Sequence, residues 1–305
     1  MIESIISMTS KAREEGFAIG YFESWNLESL QGVVDAAEQT RSPIVIGFSG
    51  HFLFRKERVA KERVSWYGAL CKAAAESSSV PCCMILNECP HDAITKEAIQ
   101  SGFNVVMPIA EEGGREHYLE RVKTVAEYAH RHGAAVEIDL DELPNDMPDG
   151  EDHGPVTYTS PAVLADFVKQ SGADLLAVSV GNVHMSSAEG YRLDLDRLRA
   201  IGEQAGVPLV LHGGTGISAE DLKRAIGLGV VKVNYGTYVK KRYLDALSRA
   251  MQSIDGKNPH HLLGYGGAED LLVISRRAVR DAVLERIETL GCCGKALENK
   301  CEESK

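Results

Sequence analysis

The stretch Leu209-Val210-Leu211-His212-Gly213-Gly214-Thr215-Gly216-Ile217-Ser218 concentrates the residues best suited to chemistry. A short apolar run, of the kind that fills a buried parallel strand, ends in a histidine. Three of the next four residues are glycines, and Ser218, with Asp221 three residues on, has the spacing of a helix N-cap. Glycines in such a turn let backbone N–H groups approach an anion, and a helix start favours negative charge. The segment therefore reads as a metal-ligand histidine beside a phosphate cradle. A tight turn with a packed histidine is the plainer alternative, and the rest of the chain decides between them.

Polar residues at the ends of other apolar runs extend the set: Ser49, Asn87, Glu88, Cys89, His91, Asp139, Asp141, Asn182, His184, Asn234 and Thr237. Imidazole and carboxylate groups gathered at one rim, with coordination positions left open, form the ligand set of a catalytic zinc or a similar divalent ion. His184 and His212 on successive strand ends carry that reading.

The elements that must position these residues follow from periodicity. Eight apolar runs, near residues 17–21, 43–47, 80–86, 104–107, 135–140, 175–180, 209–212 and 230–234, alternate with segments of helical spacing. The alternation predicts parallel βαβ units. Eight of them predict an α/β fold, a (β/α)8 TIM barrel with extra N- and C-terminal helices, ahead of a doubly wound open sheet. No linker marks a boundary, so residues 1–296 are expected to form one domain and 297–305 a flexible tail. Val59 to Ser77 reads as one helix. The stretch from Asp141 to Tyr158, with three prolines and six acidic residues, is long for a connection and serves as a lid or is mobile. Trp25 and Trp66 are expected to pack.

Composition excludes several classes of function. The chain has 305 residues, 44% of them hydrophobic, and a net charge of −11, which argues against nucleic acid as a bulk partner. There is no apolar run long enough for a membrane span and no basic, apolar leader at Met1-Ile2-Glu3-Ser4-Ile5, so a cytoplasmic location is expected. Seven cysteines without a CxxC pattern read as reduced thiols.

Asn26-Leu27-Glu28, Arg41-Ser42-Pro43, Ala177-Val178, His212-Gly213-Gly214-Thr215-Gly216, Lys232-Val233-Asn234 and Gly291-Cys292-Cys293-Gly294-Lys295-Ala296 resemble the class II, metal-dependent fructose- and tagatose-bisphosphate aldolases. The likeness runs from about residue 10 to 296. It implies a (β/α)8 barrel, a homodimer or homotetramer, a phosphorylated sugar substrate and a divalent cation, typically Zn2+. In the family that ion polarises a ketose carbonyl and stabilises an enediolate. Carried over by position, the resemblance implies His184 and His212 as metal ligands and Gly213, Thr215, Asn234 and Thr237 as the phosphate cradle. It also implies Ser49 as a substrate contact, Arg276 as an arginine reaching a phosphate, often of a neighbouring subunit, and Asp139 as a carboxylate lining the site.

The chain departs from the family where the catalytic aspartate and first metal histidine belong. Asn87 and Glu88 stand there. Glu88 can still bind metal, since two histidines and a glutamate form a catalytic zinc shell. Asn87 carries no titratable proton and can only position a substrate. His91, Asp139, Asp146, Asp149 and Glu151 are the candidates for the missing base. Gly47 replaces the family's glutamine, Met185 a phosphate-contacting glycine, and Gly236-Thr237-Tyr238 the usual acidic end of the strand-8 motif. The expected activity is a metal-dependent aldehyde-lyase acting on a phosphorylated ketose or related sugar acid. An isomerase or epimerase on the same scaffold and a non-catalytic sugar-phosphate binder are the alternatives.

Overall fold

The structure, a computed structural model, describes residues 1–110, 113–140, 158–183 and 190–296. His184, Met185, Asp141, Asp146, Asp149, Glu151 and the expected tail 297–305 lie outside the described residues.

The chain opens with α1 (Ile5–Glu15), then alternates strand and helix. The order is β1 (Ile19–Ser24), α2 (Leu27–Thr40), β2 (Ile44–Ser49), the single turn α3 (Gly50–Leu53), α4 (Val64–Ser77), β3 (Cys82–Cys89), α5 (Asp92–Gln100) and β4 (Val105–Pro108). It continues with α6 (Gly114–Arg131), β5 (Ala135–Asp139), α7 (Pro161–Ser171), β6 (Leu175–Ala177), α8 (Leu195–Gln204), β7 (Leu209–Leu211), α9 (Ala219–Gly227) and β8 (Val230–Tyr235). Three helices end the described chain: α10 (Thr237–Met251), the single turn α11 (Pro259–Leu262) and α12 (Leu271–Leu290). The eight strands are parallel and close on themselves, with β8 pairing β1, so the sheet is a barrel and the open-sheet alternative falls. Closure removes the strand edges, and helices cover the outer face, which is why the strands read as continuous apolar runs.

One expected helix begins late. Residues 55–63 form turns rather than the start of α4. Arg58 turns back onto Glu62, and Val59 is fully exposed, so this charged segment has no apolar face to bury. Trp66 also departs from expectation: it is 63% exposed, with the Arg63 guanidinium 5.0 Å over its ring. Trp25 does pack, edge-on to Tyr243 at 5.1 Å.

Alternation along β1 sends Tyr21 and Glu23 into the barrel and Phe22 outward, where it stacks on Tyr235 at 5.1 Å. The register pairs Tyr21 with Asn234 of β8 and Glu23 with Gly47 of β2. α12 folds back across α2 and α10. The approach is close: a Cβ on Gly32 of α2 would lie 2.5 Å from the Arg276 carbonyl oxygen, so only glycine fits there.

Candidate active site

Barrel chemistry sits at the carboxyl ends of the strands, and one of the two non-glycine residues with a left-handed φ among the described residues is there. On β3, Asn87 faces inward in register with Ser49. The β3–β4 pairing then slips between Leu86 and Cys89, and Glu88 takes a left-handed φ of 55°. A non-glycine residue in that region costs about 1–3 kcal/mol and persists where the surroundings impose it. The bulge carries the Glu88 carboxylate, which simple alternation would send outward, to the inner rim. Ser49 Oγ, the expected substrate contact, donates to Glu88 Oε2 at 3.1 Å and so holds Glu88 in place.

His212 follows β7 and is 4% exposed. Its Nε2 lies 3.1 Å from Oε1 of Glu137, a fully buried side chain on β5. Lys232 Nζ, also fully buried, donates to both Glu137 oxygens at 3.0 and 2.8 Å and to Asn234 Oδ1 at 2.7 Å. Burial alone would raise the Glu137 pKa, but the Lys232 charge and the His212 contact bring it down to about 2. Glu137 is therefore a carboxylate that can only accept. That places the hydrogen of a neutral His212 on Nε2 and leaves Nδ1 as a lone-pair donor. Nδ1 lies 3.7 Å from Glu88 Oε1. A buried carboxylate fixing the far nitrogen of an imidazole is the arrangement that orients metal-ligating histidines.

Among the described residues no three His, Cys, Asp or Glu side chains converge closely enough to hold a metal ion. Glu88 and His212 supply two donors, and the third predicted ligand, His184, is outside the described residues. The oxygen and nitrogen atoms available suit a divalent cation.

These groups open onto a cavity of about 420 Å³ lined by Tyr21, Glu23, Phe52, Asn87, Glu88, His212, Gly213, Thr215, Asn234, Gly236, Thr237 and Lys240, among others. Four residues of its lining carry a buried polar atom with no hydrogen-bond partner among the described residues: Tyr21 Oη, Asn87 Oδ1, Asn234 Nδ2 and Tyr235 Oη. Lys232 can only donate, so it fixes the Asn234 amide with Nδ2 turned away from it. Buried polar atoms left unpaired cost about 1–3 kcal/mol each, a cost a polar ligand would relieve.

The anion end is built from two loops. Gly213 has φ 64°, and any Cβ there would lie 2.1 Å from the Val183 carbonyl oxygen, so the turn after His212 requires glycine. Gly214 donates to the Asn234 carbonyl at 3.0 Å, tying this loop to β8. α10 begins directly after β8 on Gly236, which has no side chain to cap it, and Thr237 opens its first turn against the cavity. Thr215 Oγ1 accepts from Tyr238 N at 3.3 Å. The remaining N–H groups of that turn and the positive helix end are of the kind that could hold an anion. Ser218 caps α9 as predicted, accepting from Asp221 N. The Asp221 carboxylate does not return the bond but accepts from Leu193 N at 3.0 Å.

Two predicted residues lie apart from the cavity lining. Arg276, on α12, is held by Asp35 of α2 through bonds of 2.5 and 2.6 Å. Asp139 accepts from Tyr118 Oη at 3.5 Å, and its pKa is raised to about 7 by burial, against His212, with Glu88 adding to the rise.

Sequence reasoning passed over Glu137, Lys232, Tyr21, Glu23 and Lys240 as functional residues. The signal for the first two was present: an ionisable residue in the middle of each of two apolar strands, of opposite sign, with the same parity as the site residues Asp139 and Asn234.

Comparison with known proteins gives the chain's family. The family model for class-II fructose-bisphosphate aldolase matches residues 3–295. The protein YdjI of Escherichia coli strain K12 is 30% identical over 296 residues, covering 97% of this chain and all of its own. The crystal structure of the YdjI aldolase superposes with a TM-score of 0.81 at 29% identity, over 97% of this chain and 100% of that one. A Coccidioides immitis structure, provisionally assigned as a fructose-1,6-biphosphate aldolase, superposes with a TM-score of 0.77 at 25% identity, over 95% and 97%. With one family model spanning nearly its whole length, the chain belongs to the class-II fructose-bisphosphate aldolase family.

Proposed function

We propose that the protein is a divalent-metal-dependent aldolase that makes or breaks a carbon–carbon bond in a phosphorylated ketose or related sugar acid. The observation that carries the reading is the His212 relay. A buried Lys232–Glu137 pair fixes the imidazole tautomer and leaves Nδ1 beside Glu88, at a cavity with unpartnered polar atoms on its lining and the start of α10 at its edge.

Glu88, His184 and His212 would hold the ion, with zinc the expected metal. Such an ion supplies Lewis-acid polarisation of a carbonyl oxygen. The chain's own residues do the rest. Gly213, Thr215, Asn234 and Thr237 hold a phosphate at the start of α10, fixing the distance from anion to reacting carbon. Asn87 positions a substrate hydroxyl through its amide and moves no proton. Asp139, whose pKa is raised to about 7 by burial behind the cavity lining, is the carboxylate that would exchange a proton with carbon through one intervening water. Arg276, if it contacts phosphate, does so at another subunit's site in a homodimer or homotetramer. Glu88 adds negative charge where the family has a neutral histidine, so the bound ion is a weaker electrophile.

Asn87 also favours a second reading, isomerisation or epimerisation of a ketose, which needs proton exchange at carbon but no base for the hydroxyl of a breaking bond. A three-carbon product from a ketose phosphate belongs to the aldolase alone.

The experiment is elemental analysis of the purified protein with Glu88→Ala and His212→Ala controls, followed by a screen of ketose phosphates and phosphorylated sugar acids for release of a three-carbon product. About one divalent ion per chain, lost in folded controls, is expected. A folded wild-type protein that binds no ion after zinc is supplied would refute the proposal.

A further inference from the structure

An aldolase of this kind must handle two protons, one at carbon and one on the hydroxyl of the bond being made or broken, and Asn87 can handle neither. The cavity lining holds another carboxylate. Glu23 projects inward from β1, is 9% exposed, and lies in register with Gly47 of β2, a residue without a side chain. β2 lies between β1 and β3, and Gly47 leaves no side chain between Glu23 and Ile85 of β3, two positions before Asn87 on the same face of that strand. Glu23 Oε1 accepts from Lys240 Nζ at 2.6 Å. Oε2 lies against Gly236, where any Cβ would stand 2.7 Å away, so the carboxylate occupies space that glycine at the start of α10 leaves open. Lys240 in turn sits 3.9 Å over the Phe52 ring of α3.

We infer that Glu23, paired with Lys240, is the acid/base that serves the substrate hydroxyl in place of the aspartate that Asn87 replaces. The inference rests on the aldolase reading above. In the bond-forming direction the carbon nucleophile attacks the aldehyde carbon, the carbonyl electron pair moves onto oxygen, and that oxygen takes the proton from the Glu23 carboxyl. Glu23 is left as a carboxylate held by the Lys240 ammonium. In the cleavage direction the carboxylate takes the hydroxyl proton as the bond breaks. Charge around Glu23 suits a group that must hold and release a proton. Burial raises its pKa, Lys240 lowers it, and Glu88 of β3 raises it again. Tyr21 of β1 shares the pocket, and its own pKa is driven up by burial and by Glu23, so the phenol stays neutral and does not compete for the role. Lys241 and Asp245 face the same cavity from α10.

The test separates the two protons, using zinc-loaded enzyme and dihydroxyacetone phosphate as probe. Exchange of its carbon-bound proton in D2O needs the metal site but no hydroxyl acid/base. Condensation with a panel of short aldehydes, glyceraldehyde among them, needs both. Glu23→Gln keeps an acceptor for Lys240 and is expected to leave exchange within about twofold of wild type while condensation falls about 100-fold or more. Adding Asn87→Asp to Glu23→Gln returns a carboxylate from β3 and is expected to recover condensation. Lys240→Met removes the cation that lowers the Glu23 pKa and should move the alkaline limb of the condensation pH profile, where the Glu23 carboxyl loses its proton, upward, a shift a purely structural ion pair would not produce. Condensation within a fewfold of wild type in Glu23→Gln, or parallel loss of exchange and condensation, would overturn the inference alone. A wild-type protein that holds no zinc and exchanges no proton would overturn the aldolase reading and this inference with it.

Discussion

Replacing Glu137 by Gln tests the structural core of the site. The change keeps shape and removes charge from a pair whose side chains are both fully buried, leaving the Lys232 ammonium without its carboxylate. Breaking one partner of a buried pair costs about 3–5 kcal/mol, because the remaining charge is neither solvated nor neutralised. A chain of 305 residues unfolds with an entropy of about 0.6 kcal/mol per kelvin, so the melting temperature should fall by about 5–8 °C. The pH dependence has a defined sign. Glu137 has a folded pKa of about 2 against an ordinary 4.5, so its contribution is complete above about 4.5 and is lost as pH falls toward 2. Wild type and variant should therefore converge on acidification through that window. A second effect appears at the metal. A glutamine can donate to or accept from His212 Nε2, so the tautomer is no longer fixed, and zinc affinity should drop about 10–100-fold. The assay is thermal unfolding in chelator, which isolates the pair, followed by zinc titration. Replacing the pair together, as Glu137→Leu with Lys232→Met, should recover much of the lost stability but none of the zinc affinity. A Glu137→Gln protein within about 0.5 kcal/mol of wild type in chelator, well below the cost of breaking a buried pair, would refute the reasoning, because the pair could not then be both charged and dry.

Two further outcomes are expected. Ser218→Ala removes the side-chain cap of α9 and should cost about 1 kcal/mol in denaturant unfolding, while Ser218→Gly costs only a few tenths. The rate of carbon-proton exchange should rise with pH as Asp139 ionises, along a limb that starts near 7 in the protein alone and moves lower when a cation loads beside it. Asp139→Asn should abolish that limb, and an unchanged pH–rate profile in the variant would exclude Asp139 from the proton transfer.

The barrel was legible because its physics is periodic. Apolar runs of strand length, separated by helical spacing and counted to eight, leave few closed arrangements, and the structure has the predicted one. His212, Gly213 and the Ser218 cap were legible for a local reason, since strand end, left-handed turn and helix start are each encoded within a few residues. What the sequence concealed depends on contacts distant along the chain. Glu137 and Lys232 are 95 positions apart, and Glu23 and Lys240 are 217 apart. Each pair meets only because the barrel closes β8 against β1 and turns alternate residues inward. The bulge at Glu88 was concealed differently, because a one-residue slip in strand pairing has no compositional mark when the slipping residue is not glycine.

That distinction bears on how the site departs from its family. Replacing a catalytic aspartate by Asn87 reads, position by position, as a lost function. In the closed barrel the same wall presents Glu23 toward the cavity from β1, two strands from Asn87, with Gly47 and Ile85 in register with it on β2 and β3. A carboxylate can serve the same oxygen from either strand provided a cation partner keeps it ionisable, and Lys240 stands 2.6 Å from Glu23 to do so. Lys240 lies one turn into α10, the helix whose start is proposed to hold phosphate, so on that reading one element sets both phosphate binding and the proton carrier. A substitution that shifted α10 should therefore change affinity for phosphate and the condensation pH profile together, whereas independent sites would let one move without the other.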